Sequence, residues 1–124
     1  MRFFVALLLL NMLAADPAAA EENGERLFTP CRACHSLDPV DQGLPGPNLA
    51  GLIGRKVGGD AAFDYSPVLH KAHDEGIRWD TQRLETFLAD PAAMFPGLWM
   101  SMRGLEDAAE RRSLVRFLTD PSSR

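Results

Sequence analysis

The sequence predicts an all-α domain with long connecting loops. Three observations predict it: apolar residues recur at helical spacing in capped segments, no stretch sustains strand-like alternation, and Pro and Gly crowd the region between Asp38 and Gly59. Before the domain comes a segment of another kind. Arg2 precedes the apolar run Phe3 to Leu10, and the stretch closes on Ala18, Ala19 and Ala20. A positive start, an apolar middle and small residues at the −3 and −1 positions predict a secretory signal over residues 1–20, with the domain at 21–124. The apolar part is shorter than the roughly 18 residues that span a bilayer, and Asn11, Asp16 and Pro17 interrupt its far end. An uncleaved N-terminal anchor is the alternative.

The first helix is expected over Glu21 to Thr29, where acidic residues suit a helix start and Pro30 follows. A short helix from Pro67 to Asp74 is weakly signalled. Asp80 then caps a helix in which Leu84, Phe87 and Leu88 share one face before Asp90 and Pro91 stop it. The last helix starts near Asp107, with Glu110 three residues on in a capping-box pattern. It places Leu114, Phe117 and Leu118 on one face before Asp120 and Pro121. Loops this long inside a small domain demand something that fills the space between them.

Composition narrows the function classes. With 46% apolar and 24% charged residues, the chain is too apolar for a disordered polymer. A net charge of −4 would repel nucleic acid, and removing Arg2 with Asp16 leaves that charge unchanged. Two cysteines in 124 residues cannot form the dense disulfide framework of a small secreted scaffold, so another device must supplement the core.

Cys31, Arg32, Ala33, Cys34 and His35 spell C-x-x-C-H, the attachment pattern of c-type haem. Two thiols at this spacing add to the two vinyl groups of one porphyrin, and the histidine that follows turns its imidazole under the iron. One haem c, covalent through Cys31 and Cys34 with His35 as a ligand, is therefore expected. Three other readings use the same residues. A thioredoxin-like pair needs a βαβ context that the pattern lacks. A structural disulfide explains neither His35 nor the loops. A zinc site with His70 and His73 lacks zinc-finger spacing.

The second ligand is drawn from Met94, Met100, Met102, His70 and His73. Met100 is the best choice, because Pro96 and Gly97 can turn the chain sharply just before it. A thioether stabilises ferrous iron relative to a second imidazole, so His35 with Met100 predicts a higher potential than a bis-histidine site, and burial of the haem makes it positive. Met94 and Met102 read as core filling, and the two histidines as loop or surface residues.

With those residues in view, the stretch from Gly24 to Leu118 resembles class I cytochromes c of the mitochondrial and bacterial c2 type. Gly24 and Phe28 match that family's first helix, and Leu114 and Phe117 its last; in family members these two cross closely. Gly46, Pro47, Asn48 and Leu49, then Gly51, Leu52, Gly54 and Arg55, resemble the loop after the haem motif. Pro96, Gly97, Leu98, Trp99 and Met100 resemble the methionine-ligand loop, with Gly104 and Leu105 continuing the match. The resemblance implies the cytochrome c fold wrapped around one haem, and a Pro47 carbonyl that accepts the proton of His35. It also implies that Arg55, Tyr65 and Trp79 lie near the propionates.

The activity implied is that of a soluble, monomeric periplasmic one-electron carrier, not an enzyme. It would serve respiratory or photosynthetic redox proteins that dock transiently, with no stable membrane insertion once the signal is cleaved. Trp99 and Met102 would contribute to an apolar contact patch. Some positions depart from the family. Phe87 stands where many relatives have a tyrosine bonded to the methionine sulfur, and Leu98 replaces a propionate-binding threonine. The stretch from Tyr65 to Trp79 is longer than usual, and only Lys56 and Lys71 are lysines. Two other functions fit the same motif: an electron-entry subunit held tightly to a periplasmic dehydrogenase or oxidase, and a haem sensor or peroxidase whose methionine dissociates.

Overall fold

Asp16 opens the first helix. Its carboxylate accepts the backbone N–H of Ala18 at 3.0 Å, and α1 (Pro17–Phe28) carries proline at its first turn, where no N–H is needed. The computed structural model describes residue 14 and residues 16–123. The apolar run of the expected signal lies outside them. The helix starts ahead of the expected Glu21, so the expected cleavage after Ala20 falls in its first turn.

A 3₁₀ turn, η1 (Thr29–Ala33), continues from α1 and carries the first half of the C-x-x-C-H motif. From Cys34 to Ser66 the chain is loop, and α2 (Pro67–Asp74) follows where the weak signal placed it. In α3 (Thr81–Ala89) the Asp80 carboxylate accepts the N–H of Arg83 at 2.7 Å, and Leu84, Phe87 and Leu88 are buried as their spacing predicts. Asp90 and Pro91 do end α3, but they also begin a turn of helix that the sequence reading missed. In α4 (Pro91–Met94) Asp90 accepts the N–H of Ala93 at 3.1 Å, with proline at its first turn. The last long helix, α5 (Ala108–Thr119), is capped by Asp107, which accepts the N–H of Glu110 at 2.9 Å. No strand forms among the described residues. One antiparallel bridge, Lys56 with Arg78, ties the loop after the motif to the chain entering α3.

The crossing of α1 and α5 is the main helix contact. Phe28, fully buried, meets Phe117 with ring centroids 5.5 Å apart, and Leu114, Val115 and Leu118 close the same face. Gly24 permits the approach: a Cβ there would sit 2.7 Å from Cβ of Phe117 and 2.8 Å from the Ser113 carbonyl. Gly24→Ala therefore sets a helix-propensity gain of about 1 kcal/mol against overpacking of about 1–3 kcal/mol. Because one obstacle is backbone, overpacking wins. Denaturant unfolding of the haem-loaded variant should show a lower midpoint than wild type.

Candidate functional site

The motif is held at its start by its own backbone. The Cys31 carbonyl accepts the N–H groups of Cys34 at 3.1 Å and His35 at 2.9 Å, winding both thiols and the imidazole around one turn. Both cysteines are free, and burial pushes the Cys31 thiol up, with the neighbouring Cys34 adding to it. Among the described residues no three His, Cys, Asp or Glu side chains are grouped to hold a metal ion, so the cysteines do not pair with His70 and His73. Those histidines lie on α2, the short helix that the sequence signals weakly. His70 is exposed, 3.4 Å from Asp64, and half-buried His73 is 3.6 Å from Asp74.

His35 Nδ1 lies 2.7 Å from the Pro47 carbonyl oxygen. A carbonyl only accepts, so Nδ1 carries the proton and Nε2 presents its lone pair. Burial pushes the His35 pKa down, against a smaller opposing pull from the Pro47 bond, which keeps the ring neutral and able to bind a metal. The loop is anchored beside the motif by Gly46, whose N–H donates to the Cys34 carbonyl at 2.8 Å.

Arg55, Tyr65 and Trp79 come together by a different route. The antiparallel pairing joins the Trp79 N–H to the Arg55 carbonyl at 2.9 Å. The Arg55 guanidinium donates Nη2 to the Asn48 carbonyl at 2.8 Å and Nη1 to the Ala50 carbonyl at 3.3 Å, while its buried Nε has no partner. Tyr65 is buried, and its oxygen accepts the Asp60 N–H at 2.9 Å, leaving the hydroxyl proton free to donate. Burial pushes its phenol up, so the hydroxyl stays protonated. Trp79 packs edge-on against Phe87 and Phe95, at 5.2 and 6.3 Å between ring centroids.

Ser66 was missed by sequence reasoning. It precedes Pro67 at the start of α2 and reads as an ordinary helix cap, yet its side chain makes no capping bond. Its residue is 2% exposed and its Oγ has no partner. Two buried donors are thus left open, Arg55 Nε and Ser66 Oγ, and unpaired buried groups of this kind point to a missing acceptor.

The methionine loop leaves α4 through the expected turn: the Leu98 N–H donates to the Phe95 carbonyl at 3.0 Å across Pro96 and Gly97. Met100 is half-buried and packs on the hydrophobic core, as do Cys31, Met94 and Met102. Trp99 is 64% exposed. The loop closes where the Leu105 N–H donates to the Leu88 carbonyl at 2.8 Å.

A crossed pair of terminal helices, a C-x-x-C-H turn and a methionine loop on the far side of the sequence define a class I c-type cytochrome. Known proteins agree. The chain is 38% identical over 95 residues to cytochrome c2 of Agrobacterium tumefaciens (strain II Chrys), covering 77% of this chain and 86% of that one. It is 34% identical over 113 residues to cytochrome c2 of Blastochloris viridis, covering 88% and 87%. Among solved structures, cytochrome cH from Methylobacterium extorquens superposes with a TM-score of 0.69 at 35% identity, over 82% of this chain and 95% of that one. Cytochrome c2 from Rhodospirillum centenum gives 0.72 at 31%, over 79% and 94%. No family model matches the chain. The chain belongs to the cytochrome c2 family. Its cofactor is one haem c attached through Cys31 and Cys34, and its function is electron transfer.

The residues present fit that group. Two free thiols and a neutral imidazole lie in one turn, a thioether is carried on a braced loop, and the open Arg55 and Ser66 donors suit carboxylates.

Proposed function

We propose that the chain works as a periplasmic carrier, monomeric and transiently docked, with His35 and Met100 as the two iron ligands. The observation that carries the reading is the His35–Pro47 bond at 2.7 Å, which fixes the tautomer that a metal requires. When bound, the haem supplies a one-electron ferric/ferrous couple. The chain's residues do the rest. Cys31 and Cys34 hold the group, and Pro47 keeps the His35 proton on Nδ1. Arg55, Ser66 and Tyr65 would donate to the propionates, and Trp79 would close that side with the aromatic cluster.

Phe87 and Phe95, both buried, exclude water on the side from which the methionine loop arrives. Phe87 offers Met100 no hydroxyl, so that sulfur is held by packing and by the loop's anchors. Trp99 contributes an exposed apolar contact beside the ligand, where docking proteins exchange electrons. No helix among the described residues is long and apolar enough to cross a membrane.

Intact mass and visible spectra of protein matured in haem-attaching cells test the reading. Met100→Ala should abolish the methionine–iron charge-transfer band of the ferric protein and lower the reduction potential. Met102→Ala should leave the band in place. The reverse pattern would move the ligand to Met102, and a silent pair would send the assignment to His70 or His73.

A further inference from the structure

The peptide group between Pro47 and Asn48 is bonded at both ends. Its carbonyl oxygen accepts Nδ1–H of His35 at 2.7 Å, and its N–H donates to Oδ2 of Asp60 at 2.9 Å. Both bonds act on one conjugated amide. An anion drawing on the N–H increases the negative charge on the oxygen, and hydrogen bonds in series strengthen one another by roughly 10–30% per bond. We propose that Asp60 is a positioning residue for the redox centre: through the Pro47–Asn48 peptide, its carboxylate strengthens the Pro47 carbonyl as acceptor and so makes His35 a stronger iron donor. The inference rests on His35 being the proximal ligand.

The carboxylate is fixed in place. Its other oxygen accepts the Ala62 N–H at 3.0 Å, and its backbone is held at both ends, donating to the Tyr65 oxygen at 2.9 Å and accepting the Phe63 N–H at 3.1 Å. Among the described residues no cation lies within ion-pair distance of it, so its charge falls on the two backbone N–H groups. Asn48 does not depend on Asp60 for its position. Its Nδ2 donates to the carbonyls of Asp38 at 2.6 Å and Asp41 at 3.0 Å, its Oδ1 accepts the Ala50 N–H at 2.8 Å, and its carbonyl accepts Arg55 at 2.8 Å. With the loop braced by those bonds, what Asp60 adds is electronic. A stronger imidazole donor favours the ferric state, so removing the charge raises the potential.

Any lost anion raises the potential to some degree, so the test needs a control and a local reporter. Asp60→Asn removes the charge and keeps the shape. Asp64→Asn removes the same charge nearby from an exposed carboxylate whose contact is His70 at 3.4 Å. Reduction potentials and proton NMR of the ferrous haem-loaded proteins are compared. Asp60→Asn should raise the potential more than Asp64→Asn does, and should move the His35 Nδ1–H resonance upfield as its bond weakens. Asp64→Asn should leave that resonance in place. Should Asp60→Asn not fold, Asp60→Ser carries the same expectation. Equal potential shifts, or an unmoved resonance, would overturn the proposal. A wild-type spectrum without iron-bound His35 would instead overturn the ligand reading beneath it.

Discussion

Gly104→Ala is expected to release the methionine loop from its anchor on α3. A Cβ at this position would run into the carbonyl of Ala89, closer than any non-bonded pair of atoms can come, and 3.2 Å from Cα of Asp90. All of these obstacles are backbone atoms at the junction of α3 and α4, so no rotamer change relieves the clash. Either the two segments separate, and the Leu105 to Leu88 bond of 2.8 Å is lost, or the end of α3 unwinds. Overpacking of a core typically destabilises by about 1–3 kcal/mol, and a collision with backbone lies at or beyond the top of that range. The loss should appear twice: as a lower midpoint in denaturant unfolding, and as a weakened methionine–iron band under native conditions. Ser101→Ala, an exposed change in the same loop, should stay within about 0.5 kcal/mol of wild type. A Gly104→Ala protein with an intact band and midpoint would show that the loop is held elsewhere.

The dependence on Gly104 follows from what surrounds Met100. The phenylalanine at position 87 offers the sulfur no hydroxyl, and Leu98 contributes packing rather than a polar contact. The loop's two ends then carry its placement: the Pro96–Gly97 turn at its start and the Gly104 approach at its finish.

What could be read from the sequence was whatever is written over a few adjacent residues. The attachment motif is contiguous because its chemistry is, so Cys31, Cys34 and His35 could be read directly. The caps Asp80 and Asp107 were legible for the same reason: a cap acts on an N–H three residues away. Pro91 was read only as a stop, although a proline that ends one helix is equally suited to begin the next. Ser66 and Asp60 were illegible for a deeper cause. Ser66 sits where a helix cap belongs, and only the fold shows that its hydroxyl points away from that duty into an unpaired, buried setting. Asp60 acts on a peptide twelve positions earlier in the chain, a relation that no local pattern encodes. The helix that carries His70 and His73 was only weakly legible, because the eight residues of α2 offer little periodicity.

The largest effect is expected when covalent attachment is prevented. The variant carrying Cys31→Ala with Cys34→Ala should lose its cooperative tertiary fold, with only fraying helix left around the α1 and α5 segments. The loops set the scale. From Cys34 to Ser66 the chain is ordered without helix or strand, and fixing each residue's backbone opposes folding by about 1–2 kcal/mol. The whole domain has a net stability of only about 5–15 kcal/mol. Apolar burial along that stretch is thin, with Leu52, Val57 and Tyr65 as its buried large side chains. Arg55 Nε and Ser66 Oγ, left without an acceptor, each add about 1–3 kcal/mol of penalty. These charges against folding are met only if something apolar fills the centre and presents carboxylates to the open donors. Amide hydrogen exchange and near-ultraviolet dichroism of the unattached variant check this. Protection should vanish first across the loops that carry Asn48, Asp60 and Tyr65, and last at Leu114 and Phe117 on the α1–α5 crossing. A sharp unfolding transition with protected loop amides would mean that the polypeptide builds this fold unaided, and that the open donors are satisfied some other way.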